Sequence, residues 1–385
     1  MEYTNQPVVI DNGSGSIKAG IAGEEKPRVL FPNYIGRPKY TRVMASTMMR
    51  ESYVGSDAQK YRGILSLRYP MKHGIVTNWS DMQQIWEYAY SPEQLNCKSS
   101  EHPVLLSEAP LNPVANREKA MEIFFETFNA PAIHVQMQAV LSLYAAGRTT
   151  GVVLDSGDGV SHCVPVYEGF AIEPAVQRID VAGRDVTRYL NELLRREGHI
   201  FHRTSEFEIV REIKEKVCQV NNSVKDVKSK DDKESKFYTM PDGSTIKISS
   251  AYWQAPEALF RPDLIGLEYP GVSTCIVNAI RESDYEIRKE LMQSILLSGG
   301  STMFAGFGER VLQDVKKAFH QQAQPHGQQQ DKLQEPKIKI SAPADRLSCT
   351  WTGGSILATL DTFHRVMKTK AQYENEGKNL ARKAY

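Results

Sequence analysis

Two short stretches of the sequence place acids, glycines and hydroxyls directly after an apolar run. Residues 8–18 read VVIDNGSGSIK, and residues 152–160 read VVLDSGDGV. Both follow the order strand, Asp, small polar residue, Gly, any residue, Gly, and an internal repeat of this kind suggests two similar halves. Glycine lets backbone N–H groups come close to phosphate oxygens and tolerates positive φ. The repeat therefore predicts two phosphate-binding hairpins, each at the end of a buried strand.

The charged groups of these hairpins suit a nucleotide held between them with a divalent cation. Asp11 and Asp155 would end the two strands, and Mg²⁺ keeps several waters and uses few protein carboxylates, so Mg²⁺ or Ca²⁺ fits. Ser14 offers a hydroxyl donor, and Lys18 offers a cation for the β/γ end of a triphosphate. Ordinary Asp-Gly turns with a structural role are the alternative.

A third glycine signal lies in residues 295–304, ILLSGGSTMF. Gly299 and Gly300 would let the backbone pass close to a flat ligand such as an adenine. Close packing of a helix on a strand explains the two glycines equally well. The sequence contains no GxxxxGK[ST] motif, which excludes a P-loop.

Two polar residues near the second hairpin are candidates for hydrolysis. Phosphoryl transfer needs positioning, charge neutralisation and one group that orients the attacking water. Gln138 leads a helical stretch toward the second hairpin, and His162 follows that hairpin. Either residue could instead be an ordinary core or surface polar residue.

Strand and helix signals alternate along the chain, which predicts an α/β fold. Apolar spacing predicts helices over residues 116–128 and 186–194, the second ending near Gly198. Ser205 with Glu208 predicts a capping box, and Asp242-Gly243 predicts a hairpin turn. Residues 221–236 and the glutamine-rich residues 320–336 have too few apolar side chains to pack a core, so they are expected to be solvated surface segments.

Composition excludes several classes. A length of 385 residues suggests two or three domains, and 47 basic against 46 acidic residues argue against a nucleic-acid or anionic-membrane partner. No apolar run is long enough to span a bilayer, and the N-terminus does not resemble a secretion signal. The five cysteines are far apart, which indicates reduced thiols.

Stretches along the whole chain resemble the actin family: DNGSG…KAG, EHPVLLSEAPLNP, QAVLSLYAAGRTTGVVLDSGDGVSH, AGRDVTRYL, EIVREIKEKVC, PEALFRPDLIG, ILLSGGSTMF and TWTGGSILATLDTF. The resemblance implies the duplicated α/β fold that actins share with hexokinases and heat-shock ATPases, with two lobes and four subdomains around a nucleotide cleft. The first lobe would be residues 1–138 plus 339–385, with a small subdomain at about 33–70. The second would be residues 139–338, with a small subdomain at about 183–262.

The resemblance also implies a binding site for ATP or ADP with Mg²⁺ or Ca²⁺. The positions that match the family's phosphate loops are Gly13, Ser14, Gly15, Lys18, Gly157, Asp158 and Gly159. The positions that match the group holding the metal waters and orienting the attacking water are Asp11, Gln138, Asp155 and His162. The positions that match ribose and adenine contacts are Gly183, Lys214, Glu215, Gly300, Met303 and Phe304. Leu347 stands where actins carry a lysine beside the adenine, and the implied chemistry is at most a slow ATPase coupled to polymerisation.

Two segments match filament contacts of the family. Residues 40–54 carry Met44, Met48 and Met49, and flexible thioether side chains suit an adaptable contact surface. Residues 260–271 resemble the apolar plug between filament strands. A head-to-tail contact that does not close generates an open filament. Ordinary surface loops are the alternative for both segments.

Within the family the resemblance is greatest to the actin-related proteins that form the short filament of dynactin, through NQPVVIDNGSG, FPNYIGRP, SLRYPMKHGIV, RIDVAGRDV, REGHIFHRTSEFEIV and ISAPADRLSCTW. That implies self-association, other dynactin subunits, filament-end capping proteins, dynein and its adaptors as partners, without nucleic acid or membrane insertion. The implied location is the cytoplasmic cytoskeleton, at microtubules or centrosomes. The alternatives are a conventional cytoplasmic actin, disfavoured by the single acid in residues 1–5, a monomeric actin-related scaffold of a chromatin complex, and a sugar kinase.

Overall fold

The computed structural model describes residues 5–39, 50–221, 235–321 and 337–383. Contacts divide the chain into unit 1, Met1–Arg148 with Ser348–Tyr385, and unit 2, Thr149–Leu347. The lobe boundaries expected after residues 138 and 338 therefore differ from the observed ones, after 148 and 347. The first difference arises from the helix that begins at Gln138, which packs in unit 1: a Cβ on Gly353 would lie 1.7 Å from the carbonyl oxygen of Leu141.

In chain order, the strands of the described residues are β1 (Val8–Asn12), β2 (Ser16–Ile21), β3 (Val29–Pro32), β4 (Ile35–Pro38), β5 (Tyr53–Val54), β6 (Leu65–Arg68), β7 (Met71–Lys72), β8 (Ile75–Val76), β9 (Val104–Glu108), β10 (Ala132–Met137), β11 (Gly151–Ser156), β12 (Ser161–Tyr167), β13 (Phe170–Ala171), β14 (Gln177–Ile179), β15 (Lys236–Thr239), β16 (Thr245–Ile248), β17 (Ile295–Ser298), β18 (Ile340–Ser341) and β19 (Lys368–Thr369).

The α-helices of the same residues are α1 (Gly55–Lys60), α2 (Trp79–Tyr90), α3 (Val114–Glu122), α4 (Gln138–Ala145), α5 (Gly183–Arg196), α6 (Thr204–Val217), α7 (Ala251–Gln254), α8 (Glu257–Phe260), α9 (Val272–Glu282), α10 (Arg288–Gln293), α11 (Phe307–His320), α12 (Cys349–Thr359), α13 (Phe363–Val366) and α14 (Lys370–Glu376). No described helix is both long enough and apolar enough to cross a membrane.

Unit 1 is built on a sheet whose described strands run in the order β19-β10-β9-β1-β2-β3. Strand β1 is antiparallel to β2 and parallel to β9, with Ile10 opposite Leu106. All five residues of β1 are buried, as expected for a strand covered on both faces. The end of β1 is therefore fixed from both sides.

Unit 2 repeats this arrangement in a sheet ordered β13-β12-β11-β17-β18. Strand β11 is antiparallel to β12 and parallel to β17, with Leu154 opposite Leu297. Both units thus combine a central buried strand, an antiparallel hairpin partner and a parallel neighbour. The repeat in the sequence is a repeat of supersecondary structure.

Most predicted elements are present at the expected places. Helix α3 starts at Val114 and continues as a π-helical segment over Ile123–Thr127, and α5 ends just before Gly198, whose φ is +93°. Strands β15 and β16 pair around the Asp242-Gly243 turn.

One cap is wrong. Helix α6 begins at Thr204, and the carboxylate that accepts the N-terminal amides of His202 and Arg203 is Glu206, at 2.7 and 2.9 Å. The predicted capping residue Glu208 is instead buried and accepts a hydrogen bond from Arg211. The cap of α6 thus lies two residues before the predicted position.

Three predicted surface features lie partly or wholly outside the described residues. They are the methionine-bearing segment with Met44, Met48 and Met49, the charged segment at residues 222–234, and the glutamine-rich segment at residues 322–336.

Candidate functional site

The first hairpin brings an acid and a base together at the end of β1. Asp11 lies opposite Lys18 in the antiparallel register, and Lys18 Nζ donates to Asp11 Oδ2 at 2.8 Å. Both side chains are at least nine-tenths buried. This buried cation and carboxylate are the first charged pair of the candidate site.

The turn of this hairpin is held by its neighbours. Asn33 donates from Nδ2 to the carbonyl of Gly13 at 2.8 Å and from its backbone N–H to the carbonyl of Gly15 at 3.0 Å. Ser14 Oγ accepts the backbone N–H of Gly74 at 2.9 Å. A Cβ on Gly13 would lie 2.6 Å from the carbonyl oxygen of Ser16, so the turn requires glycine there.

Ser107 completes this cluster, and it was not predicted from the sequence. It lies one residue before the end of β9, the strand parallel to β1. Its hydroxyl donates to Asp11 Oδ1 at 2.7 Å and accepts the backbone N–H of Asn12 at 2.9 Å. Gln138, the first residue of α4, reaches Asp11 Oδ1 at 3.4 Å and Ser107 Oγ at 3.3 Å through Nε2. We call Asp11, residues 13–15, Lys18, Ser107 and Gln138 the first half-site.

The second hairpin places Asp155 opposite His162. Asp155 Oδ2 and His162 Nε2 are 3.8 Å apart, which is too far for a hydrogen bond. His162 is buried, and neither ring nitrogen has a hydrogen-bond partner among the described residues. Burial, together with the charge of Arg178, lowers the pKa of His162 to about 3, so the ring is neutral near pH 7. A neutral ring with unused nitrogens can orient a water through a hydrogen bond.

The turn of the second hairpin is tied to the start of α5. Gly183 donates its backbone N–H to the carbonyl of Gly157 at 3.0 Å, and Ser301 donates its hydroxyl to the same carbonyl at 2.6 Å. Arg184 donates a backbone N–H to the Asp158 carbonyl at 2.8 Å and a guanidinium N–H to its carboxylate at 2.6 Å. Gly159 is buried in this turn, beyond Asp158.

Two of the predicted ribose and adenine residues meet behind this turn. Lys214 Nζ donates to the carbonyl of Gly183 at 2.8 Å, and burial lowers the pKa of this lysine. A Cβ on Gly183 would lie 2.7 Å from Ser301 Oγ and 3.1 Å from Lys214 Nζ. Glu215, the residue after Lys214, is exposed and accepts a hydrogen bond from Arg211 at 2.8 Å.

The two glycines after β17 differ in role. Gly299 has a φ of +86°, and a Cβ there would lie 2.3 Å from Asp155 Oδ1, so this glycine makes room for the carboxylate. At Gly300 the nearest atom to a Cβ is Leu347 Cδ1, at 3.4 Å, which leaves a surface that a flat group can approach. Met303 and Leu347 are partly exposed, at 43% and 44%, whereas Phe304 is buried. We call Asp155, residues 157–159, His162, Gly183, Lys214 and residues 299–304 the second half-site.

The donor set of each half-site fits a phosphate chain with a hydrated divalent cation. The first offers the buried ammonium of Lys18 and the carboxylate of Asp11, and the second offers Asp155 and the unused nitrogens of His162. Mg²⁺ usually keeps several of its waters and is bound by only one or two protein carboxylates. The uncovered face of Gly300 suits a planar base.

The sequence was also compared with models of known protein families. The family model described as Actin matches residues 3–385, nearly the whole chain.

Proposed function

The chain belongs to the actin family and has its mixed α/β fold, and on this premise we propose that it binds ATP or ADP with Mg²⁺ or Ca²⁺ at the two half-sites and polymerises head to tail into a short filament. The observation that carries nucleotide binding is the duplicated hairpin, in which Asp11 and Asp155 occupy equivalent positions beside Lys18 and His162. Two turns with only a structural role would not need a buried aspartate in each hairpin.

Each residue has a role that its surroundings support. Lys18 and Ser14, with the amides of residues 13–15 and 157–159, bind the phosphates, while Asp11 and Asp155 accept hydrogen bonds from metal-bound waters. The metal, when bound, neutralises charge that develops on the phosphates. Gln138 and the neutral ring of His162 offer the hydrogen-bonding groups that orient the attacking water. Any hydrolysis by this set is slow and coupled to polymerisation.

Titration of the purified protein with ATP in the presence and absence of Mg²⁺ tests nucleotide binding. We expect Asp155→Ala to weaken Mg²⁺-dependent ATP binding, because the metal waters lose an acceptor. Asp361→Ala, at an exposed aspartate of unit 1, is the matched control and should bind like the unaltered protein. Full affinity in Asp155→Ala would contradict the assignment of the second half-site.

Self-association draws support from residues 260–271. Within that segment Leu264 and Tyr269 are 39% and 42% exposed, while Ile265 and Leu267 pack against the core of unit 2. A rigid base with an exposed apolar tip suits a protein contact. We expect Leu264→Asp to reduce the amount of protein that sediments after Mg²⁺-ATP is added, with ATP affinity unchanged; unchanged sedimentation would remove this segment from the contact.

Within the family, we propose that this is a centractin, the filament subunit of dynactin, which supports dynein-driven transport along microtubules. The stretches quoted above support that choice. Its partners would be other dynactin subunits, filament-end capping proteins, dynein and adaptors, in the cytoplasm at microtubules or centrosomes. Capture of the native protein from cytosol should recover a large complex with capping and coiled-coil subunits.

Results of other experiments would favour other functions. Co-sedimentation with myosin under polymerising conditions would indicate a conventional actin. Recovery from nuclei with chromatin proteins, as a monomer, would indicate a chromatin-associated scaffold. Phosphorylation of a hexose by the pure protein would indicate a sugar kinase.

A further inference from the structure

A serine lies at the end, or one residue before the end, of the parallel neighbour of each hairpin strand. Strand β9 ends with Leu105, Leu106, Ser107 and Glu108, and β17 reads Ile295 to Ser298. The sequences VLLS and ILLS therefore repeat together with VVID and VVLD. The duplication extends from the hairpins to the strands beside them.

In unit 1 this serine fixes the orientation of a carboxylate. The Ser107 hydroxyl has one proton, and because its oxygen accepts the amide of Asn12, that proton is directed to Asp11 Oδ1. The other oxygen of Asp11 accepts from Lys18. Each carboxylate oxygen thus has a short contact to its own donor, with Gln138 as a longer second donor to Oδ1 at 3.4 Å, and these contacts hold the side chain in one orientation.

In unit 2 the serine has the same place in the sheet. Ser298 lies opposite Asp155 in the parallel register and is 1% exposed. The next residue, Gly299, leaves room for Asp155 Oδ1, where a Cβ would lie 2.3 Å away. A strand-end serine and a restricted aspartate occur together in both units.

We propose that Ser107 and Ser298 are equivalent positioning residues, each of which orients the aspartate at the end of the neighbouring strand toward the waters of the bound cation. The proposal rests on nucleotide–metal binding as the function of the half-sites. Removing a group that orients a direct metal ligand typically weakens metal binding by about 10- to 100-fold. Because these aspartates contact the metal through water, we expect the lower end of that range. Neither serine is a catalytic residue.

The test compares valine and threonine at each serine, because the two side chains have nearly the same shape and differ in the hydroxyl. Ser107 borders a cavity of about 30 Å³, which gives the added methyl group space. The readouts are the dissociation constant of Mg²⁺ from the ATP-loaded protein, the rate of nucleotide release after chelation, and the midpoint of thermal unfolding. We expect Ser107→Val and Ser298→Val to raise the Mg²⁺ dissociation constant about tenfold, and Ser107→Thr and Ser298→Thr to restore it.

The outcomes separate positioning from packing. Weaker Mg²⁺ binding in the valine variants, with the unfolding midpoint and the affinity for metal-free ATP equal to those of the threonine variants, supports the proposal. Equal loss in valine and threonine variants, or wild-type Mg²⁺ affinity in valine variants, overturns it. Absence of any ATP binding by the unaltered protein would instead overturn the proposed function, and this inference with it.

Discussion

Lys18 and Asp11 face each other across the first hairpin with 2.8 Å between Nζ and Oδ2, and both side chains are buried. The equivalent pair of the second hairpin, His162 and Asp155, is 3.8 Å apart, and His162 is neutral near pH 7. The two half-sites therefore share a frame but differ in charge. The first supplies a cation for phosphate, and the second supplies an uncharged ring that can hydrogen-bond to water.

Replacing Lys18 should lower the stability of the protein and weaken its binding of ATP. In Lys18→Met the buried carboxylate of Asp11 loses its counter-charge, and breaking a buried pair in this way typically costs about 3–5 kcal/mol. We expect a lower urea midpoint without nucleotide and weaker ATP binding with it. Lys72→Met, at an exposed lysine of unit 1, is the control and should change neither. An unaltered midpoint for Lys18→Met would mean that the pair contributes no net stability.

The free energy of unfolding should fall in mild acid because of the buried His134. This ring lies edge-to-face on Phe363, bonds the backbone of Val366 and lies near Lys368, and burial lowers its pKa to about 4. An unfolded histidine has a pKa of about 6.5, so below that pH the unfolded state binds the proton first. The stability is complete above about pH 6.5, and roughly 3 kcal/mol is lost as the pH falls to about 4.

The check is the pH dependence of the unfolding midpoint between those values. His134→Gln should flatten it, whereas His364→Gln, at an exposed histidine, should leave the slope as it is. A slope that is the same in all three proteins would contradict the prediction.

A methyl group at Gly183 should disturb nucleotide binding, because it would lie 3.1 Å from the Gly157 carbonyl of the second turn. Gly183→Ala places Cβ 2.7 Å from Ser301 Oγ and 3.1 Å from Lys214 Nζ, so the lysine must move. We expect ATP affinity to fall several-fold, by roughly 1 kcal/mol or more, since overpacking typically costs about 1–3 kcal/mol. The affinity of Gly63→Ala, where a Cβ meets nothing within 4 Å, should match that of the unaltered protein. Equal affinities for the two variants would exclude a role for the Gly183–Lys214 contact.

Arg310 should stabilise the position of residues 260–271, the segment that carries Leu264. Its guanidinium donates to both carboxylate oxygens of Glu257, at 2.7 and 3.2 Å, and lies 4.7 Å from the centre of the Phe260 ring. Arg310→Leu leaves Glu257 buried without a partner, which typically costs about 3–5 kcal/mol. We expect a lower thermal midpoint and less sedimenting filament.

Adding Glu257→Gln to that variant removes the unpaired charge and should recover part of the midpoint. The matched control is Arg261→Leu, which breaks the exposed pair with Asp263 and should leave the midpoint unchanged. A double variant less stable than Arg310→Leu alone would show that the charge of Glu257 is not the cause.

The hairpins could be predicted from sequence because a local pattern specifies them. An apolar run, an acid and two glycines define a strand and its turn, and the second copy makes the coincidence implausible. Ser107 was missed because its role depends on pairing between β1 and β9, which are far apart in the chain. The repeated VLLS and ILLS were visible in the sequence, but only the parallel register explains why the serine matters.

Two further differences have tertiary causes. The boundary between units follows α4, whose packing against α12 no local signal reveals. Gly299 was equally consistent with a flat ligand and with close packing, and the proximity of Asp155 favours packing. Sequence reasoning identified the residues of interest, whereas neighbours brought by the sheet decide what several of them do.

Unit 1 is made of the two ends of the chain. Trp351 donates its indole N–H to the carbonyl of Val9, and β19 pairs with β10 near the C-terminus. On a ribosome that adds about 5–20 residues per second, the first 148 residues must wait roughly ten seconds or more for these closing pieces. During synthesis the sheet of unit 1 therefore exposes apolar surface that Ser348–Tyr385 will cover, and the nascent chain needs protection from aggregation until those residues are made.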